Sequence, residues 1–220
     1  MKTTWMLIAW FVTATFLTAQ TPVQSYTLDP EQSQLIWRGE KITGNHRGLV
    51  KLKSGLVKFR GDEFLGGTVV VDMRTIENLD LESPTYKTKL ERHLNSADFF
   101  NTKLFPTAEL EVTGTRRLKI TGPGKALYEI KGLMTIRGQA NPIQFNAEIQ
   151  RRSVQWQAEG EMTLDRTRWG LRYRSGSFFD GLGDKLIYDQ FSISFFIKTT
   201  MDSEDVAGAS GTPEEIPGSD

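Results

Sequence analysis

Residues 154–165 read VQWQAEGEMTLD. Val154, Trp156, Ala158, Gly160, Met162 and Leu164 alternate without error against Gln155, Gln157, Glu159, Glu161, Thr163 and Asp165. Successive side chains of a pleated backbone point to opposite sides, so this period of two describes a strand with one dry and one wet face. The pattern spreads outward from there. Ile143, Phe145, Ala147 and Ile149 alternate with Gln144, Asn146, Glu148 and Gln150. Tyr128, Ile130, Gly132, Met134 and Ile136 do the same upstream, although Leu127 and Leu133 blur the wet face. Downstream, Phe191, Ile193, Phe195 and Ile197 repeat it with Phe196 as the intruder. Further strands are expected at 34–43, 48–60, 65–73 and 107–119, divided by turn formers such as Thr121-Gly-Pro-Gly124 and Asn141-Pro142. About eight long antiparallel strands with a polar outside predict an all-β closed barrel or a sandwich.

The dry faces mix large side chains with Ala108, Gly114, Gly132, Ala147, Ala158 and Gly160. In an eight-stranded barrel such small residues either leave volume for one small ligand or only permit the strands to coil, and both readings stay open. One helix interrupts the strands. Ser83 suits its N-cap, Pro84 its first position and Asn95 its end, and Tyr86, Leu90, His93 and Leu94 share a face at helical spacing. With Phe99, Phe100 and Phe105 following, the segment is expected to cap one end or edge of the barrel.

Both ends of the chain differ from its middle. Lys2, the apolar run Trp5–Leu17 and Ala19 before Gln20 follow the order of a secretory signal, expected to occupy 1–19. The run is shorter than the roughly 18 apolar residues a spanning helix needs. Residues 201–220 carry six acids, no base and almost nothing apolar, the composition of a disordered tail. Between them, 20–200 reads as one domain, and without the tail and Lys2 the chain keeps 26 basic against 21 acidic residues. Cysteine is absent, which excludes disulfides, thiol catalysis and lipoprotein acylation.

The stretch RTRWGLRYRSGSFFD (166–180) interleaves arginines with aromatic rings. That combination grips single-stranded nucleic acid, but it also suits the mouth of an apolar pocket that meets an anionic headgroup. An exported protein rarely meets nucleic acid, so no nucleic-acid partner is expected. Continued alternation past Leu164 would turn Arg166 and Arg168 inward unless a bulge reverses the parity. Arg166 then either faces the mouth and pairs with a headgroup or pins the loop through carbonyls and a carboxylate. Catalytic signatures are missing: no nucleophile elbow, phosphate loop or dinucleotide fingerprint occurs. His46 and His93 are the only histidines and do not make a metal site by spacing. Asp180, Asp184 and Asp189 lie in a glycine-rich turn without the ligand pattern of a calcium loop. No cofactor, metal or catalytic residue is therefore expected.

Four segments in order resemble the YceI-like proteins: LIWRGEKITGNHRG (35–48), KLERHLNSADFF with FPTAEL (89–110), GLMTIRGQANPIQF (132–145), and DRTRWGLRYRSGSFF with LGDKLIYDQF (165–191). The last looks like the longer variant of Bacteroidetes-type bacteria. Arg47 and Trp169 stand where the family pattern has a small polar residue and a Tyr or Phe. The resemblance implies a lipocalin-like, eight-stranded antiparallel barrel with one short capping helix, exported to the periplasm or beyond. It also implies a polyisoprenoid or other long-chain amphiphilic lipid held inside, with no enzymatic step and no integral membrane segment. On that basis the expected ligand contacts are Trp37 and His46 of the first motif, and His93, Phe99 and Phe105 of the cap. Ala147, Trp156, Ala158, Phe191 and Phe195 join them from the dry faces, and Arg166, Trp169, Tyr173 and Phe178 at the mouth. A ligand-free periplasmic module with a solid core is the competing reading, and a lipid-directed enzyme using His46 or His93 a third. The oligomeric state stays open, a homodimer included.

Overall fold

In the computed structural model, which describes residues 21–200, nine strands and one helix build the domain. The strands are β1 (Val23–Thr27), β2 (Gln34–Lys41), β3 (Gly44–Arg60), β4 (Glu63–Asn78), β5 (Thr107–Gly122), β6 (Lys125–Ile136), β7 (Gln139–Arg152), β8 (Gln155–Asp165) and β9 (Ile187–Lys198), with helix α1 (Pro84–Asn95) after β4. The expected signal and acidic tail lie outside the described residues.

Every pairing is antiparallel, in the order β1-β3-β2-β9-β8-β7-β6-β5-β4, and β4 pairs again with β3. That last ladder closes β2–β9 into an eight-stranded barrel with β1 as an extra strand. The 17-residue β3 makes this possible: its first half pairs with β2, its second half with β1, and β4 runs along its other edge. β1 fills the gap that β2 leaves beside β9, through the Leu28–Thr199 bridge and a 2.7 Å bond from Asp29 N–H to the Lys198 carbonyl. It was not anticipated because Tyr26 is its single buried residue.

β4 and β5 pair only over Thr68–Asp72 and Thr107–Glu111. Below that, side chains replace the ladder: the Tyr128 hydroxyl accepts from Phe64 N–H at 3.2 Å, and Thr115 donates to the Phe64 carbonyl at 2.8 Å. Above it, α1 lies against β4, held by Glu91 Oε1 accepting Asn78 N–H at 2.8 Å and by Lys87 on Glu77 at 2.7 Å. Pro84 starts the helix where its missing N–H costs nothing, and Asn95 ends it as expected. The expected helix face is only partly correct. Leu94 packs on the core, but Tyr86 is 64% exposed and no residue of α1 is fully buried, because the helix tethers itself by polar ties rather than an apolar stripe.

The alternation along β6, β7 and β8 is reproduced in the burial of Tyr128, Ile130, Ile143, Phe145, Ala147, Ile149, Trp156, Met162 and Leu164. At Gly160 the small residue serves packing, since a Cβ would stand 2.8 Å from the ring of Phe195. Neighbouring rings take up the volume that glycine vacates there.

Candidate functional site

Two adjoining cavities lie inside the barrel. The upper one, about 180 Å³, is lined by residues including Trp37, Val71, Met73, Leu94, Phe99, Phe100, Leu164, Leu171 and Phe191. The lower, about 100 Å³, is lined by residues including Phe59, Phe64, Ile130, Phe145, Ala147, Trp156, Ala158 and Phe195. Leu35, Val69, Leu110 and Met162 border both and form a waist between the lobes. The walls are almost wholly apolar.

Side chains pack across each end of the barrel. At the lower end Trp156 stacks on Phe59 with ring centroids 3.7 Å apart, and Tyr26, Phe64 and Tyr128 meet this pair or one another edge-on or tilted. The Trp156 indole N–H is buried and finds no acceptor among the described residues. At the upper end α1, the segment 96–106 and the loop after β8 form a lid, with Phe99 and Leu171 buried beneath it.

Arg166 holds that lid. Asp165 accepts the Thr167 N–H at 2.9 Å and so starts a short 3-10 turn, Arg166–Trp169, that continues the inward parity of β8. The buried guanidinium donates to the carbonyls of Tyr188 (3.0 Å), Leu171 (2.7 Å), Tyr173 (3.0 Å) and Ile187 (2.9 Å). Asp189 Oδ1 stands 3.1 Å from Nη2, too poorly aligned for a hydrogen bond, so that contact is Coulombic. Burial lowers the pKa of Arg166 below its usual value, and the charges of Asp189 and Asp165 offset this only in part. Of the two readings of Arg166, the geometry is that of the pin: its stem reaches the upper cavity wall while its donors are spent on the lid.

A YceI-like domain matches residues 26–199. The chain belongs to the YceI-like family. Proteins of Vibrio cholerae described as UPF0312 proteins are 29% identical over 106 residues, 48% of this chain and 53% of theirs, so the match spans about half the length of these relatives. Among solved structures, Burkholderia cenocepacia BcnA superposes with a TM-score of 0.59 at 17% identity, covering 79% of this chain and 99% of that one. A polyisoprenoid binding domain from Saccharophagus degradans gives 0.58 at 12% identity, covering 80% and 98%. At these identities the likeness is one of fold.

In this YceI-like barrel the expected contact residues divide. Trp37, Phe99, Ala147, Trp156, Ala158, Phe191 and Phe195 line one cavity or the other, and Arg166 borders the upper. The others lie outside the cavities. His46 sits in β3 beyond the barrel interior, with Nδ1 2.8 Å from Asp80 Oδ2. Burial raises the Asp80 pKa, but hydrogen bonds from Arg47 N–H, His46 and Asn78 outweigh it and leave the carboxyl below its usual range. His93 packs edge-on against Phe99 and Tyr173, at 5.0 and 4.5 Å, behind the cavity wall. Phe105 covers Gly138 at the β6–β7 turn. Trp169, expected at the mouth, is fully buried and donates to the Met134 carbonyl at 2.9 Å. Phe178 is 44% exposed under the Arg172 guanidinium, 4.3 Å away. The 166–180 stretch therefore contributes to the lid, with Trp169 and Tyr173 packed into it and Phe178 and Phe179 exposed.

The waist residues Leu35, Val69 and Leu110 and the lid residue Leu171 are not among the ligand contacts expected from sequence. Leu35 and Leu110 fall within family-like motifs, but nothing in an apolar residue distinguishes a cavity wall from a filled core. Among the described residues no group of three or more His, Cys, Asp or Glu could hold a metal, and no helix is long and apolar enough to cross a membrane.

Proposed function

We propose that this YceI-like protein is a non-enzymatic binding protein that holds a long apolar amphiphile, a polyisoprenoid or related lipid, along the barrel axis. The two-lobed cavity carries this reading. Protein interiors are normally packed as densely as organic crystals, with few voids larger than a water molecule. Left unfilled, the upper lobe alone would cost about 4 kcal/mol at ~24 cal/mol per Å³. An engineered apolar cavity of roughly 150 Å³ stays dry and takes up benzene, so this volume and lining suit an apolar guest. Ten buried methylene equivalents would contribute about 8 kcal/mol gross, part of which offsets chain ordering and association. The solid-core alternative needs a filled interior and is disfavoured by the same volumes. Catalysis finds little support, because both histidines lie behind or outside the apolar walls. Export to the periplasm fits the amino-terminal pattern and the family, and the role of binding is transport, storage or sequestration. Mass spectrometry of an organic extract from protein purified under native conditions tests the reading. A stoichiometric isoprenoid or similar lipid is expected, and a lipid-free extract from protein that also takes up no apolar probe would refute it.

A further inference from the structure

Side chains pack across both barrel ends, and the upper lobe is also bordered by residues whose side chains face solvent. Arg38 and Tyr188 are 53% and 47% exposed, and Gln190 is exposed beside them, all at the seam between β2 and β9. The ladder fails at that point. Gly39 pairs with Phe191, but the next pair is Lys41 with Ile187, so Tyr188, Asp189 and Gln190 bulge out opposite Glu40 alone. Gly39 follows Leu35 and Trp37 on the inward face, and a Cβ there would meet no heavy atom within 4 Å. Gly160, by contrast, is crowded by Phe195. On the outside, a polar groove of about 510 Å³ lies over the same seam and shares Arg38, Tyr188, Gln190 and Phe191 with the inner cavity.

We propose that the ligand enters sideways through the β2–β9 seam at Gly39 and leaves an uncharged, hydrogen-bonding head in the outer groove. The inference rests on the binding reading above. A hydroxyl or amide head would find Thr163, Gln190 and Ser192 in the groove. Among the described residues a phosphate would find no unpaired cation there. Arg38 is 3.0 Å from Glu40 and donates to it, Arg166 is spent on carbonyls, and Glu161 forms no ion pair among the described residues. A carboxylate facing an anionic head repels it, which selects against such ligands.

Stopped-flow uptake of N-phenylnaphthylamine tests the route, with competition by farnesol and farnesyl phosphate testing the head. Gly39→Val places a branched side chain in the open space of the seam, and Glu91→Ala loosens α1 to open the lid. Gly39→Val should slow association by roughly tenfold, and Glu91→Ala should leave the association rate near wild type. Farnesol should displace the probe about tenfold more effectively than farnesyl phosphate, and Glu161→Lys should narrow that gap. Unchanged rates in Gly39→Val together with faster uptake in Glu91→Ala would assign the route to the lid and overturn the proposal. Equal or better displacement by farnesyl phosphate would overturn the choice of head. Failure of the wild-type protein to bind the probe at all would instead remove the binding reading itself.

Discussion

Arg166 and Asp189 stand 3.1 Å apart beneath the lid, but the hydrogen bonds of the guanidinium go to four backbone carbonyls, two in the loop after β8 and two at the start of β9. One side chain thus fastens 171–173 and 187–188 to the end of β8. Removing it leaves those carbonyls without their donor and the Asp189 carboxylate without its neighbouring charge. Arg166→Ala is expected to cost about 3–5 kcal/mol, the range for breaking a buried charged network. Urea unfolding of ligand-free protein measures this. Unchanged stability with a selective loss of phosphorylated ligands would restore Arg166 to a headgroup role.

The waist gives a second expectation. Val69 borders both lobes, so Val69→Phe should block the passage between them while leaving the upper lobe accessible. Overpacking by ~1–3 kcal/mol is offset here by the space available. Affinity for a twenty-carbon isoprenol should fall, and that for a ten-carbon isoprenol should stay near wild type. Equal losses for both in a calorimetric titration would show that the lobes are not occupied by one chain.

Much of this could be read before the structure. The unbroken alternation of 154–165 set the parity of β8, and the inward turn of Arg166 follows from it. What Arg166 would meet could not be read, because its acceptors are backbone carbonyls five to 22 residues away, in the loop after β8 and at the start of β9, which no side-chain pattern marks. Trp169 misled for a related reason: interleaved arginines and rings look alike whether they face a ligand or lock a lid. His46 misled because a glycine-rich turn marks the end of a hairpin without saying whether it leans over the barrel. The β2–β9 bulge was hidden as well, since β9 gains two residues relative to β2 and an even number leaves its alternation through Phe191 intact.

At the lower end, the unpaired Trp156 N–H makes a third test. An unsatisfied buried donor costs about 1–3 kcal/mol, so removing it partly compensates for lost ring volume. Trp156→Phe should therefore lower stability by less than about 1 kcal/mol in chemical denaturation, compared with ~3–5 for a tryptophan truncated to alanine in a core. A loss above ~3 kcal/mol would mean that the indole N–H is hydrogen-bonded in solution.

The Asp80 junction should register in acid. Its carboxyl is held below the usual range in the folded state, so its contribution is complete above the unfolded pKa near 4 and is lost as pH falls through the depressed folded value. Asp80→Asn should cost about 1 kcal/mol at neutral pH, and the difference from wild type should close below about pH 4. Melting curves from pH 7 to pH 3 follow it. A gap that persists undiminished in acid would contradict the assignment.

The central claim is that the barrel interior takes up one long apolar chain. Isothermal calorimetry of delipidated protein against geranylgeraniol, repeated at several temperatures, tests it most directly. The account predicts saturable binding of one ligand per chain with a negative heat-capacity change, the mark of apolar surface leaving water. Absence of saturable binding, or binding whose enthalpy does not vary with temperature, would contradict it.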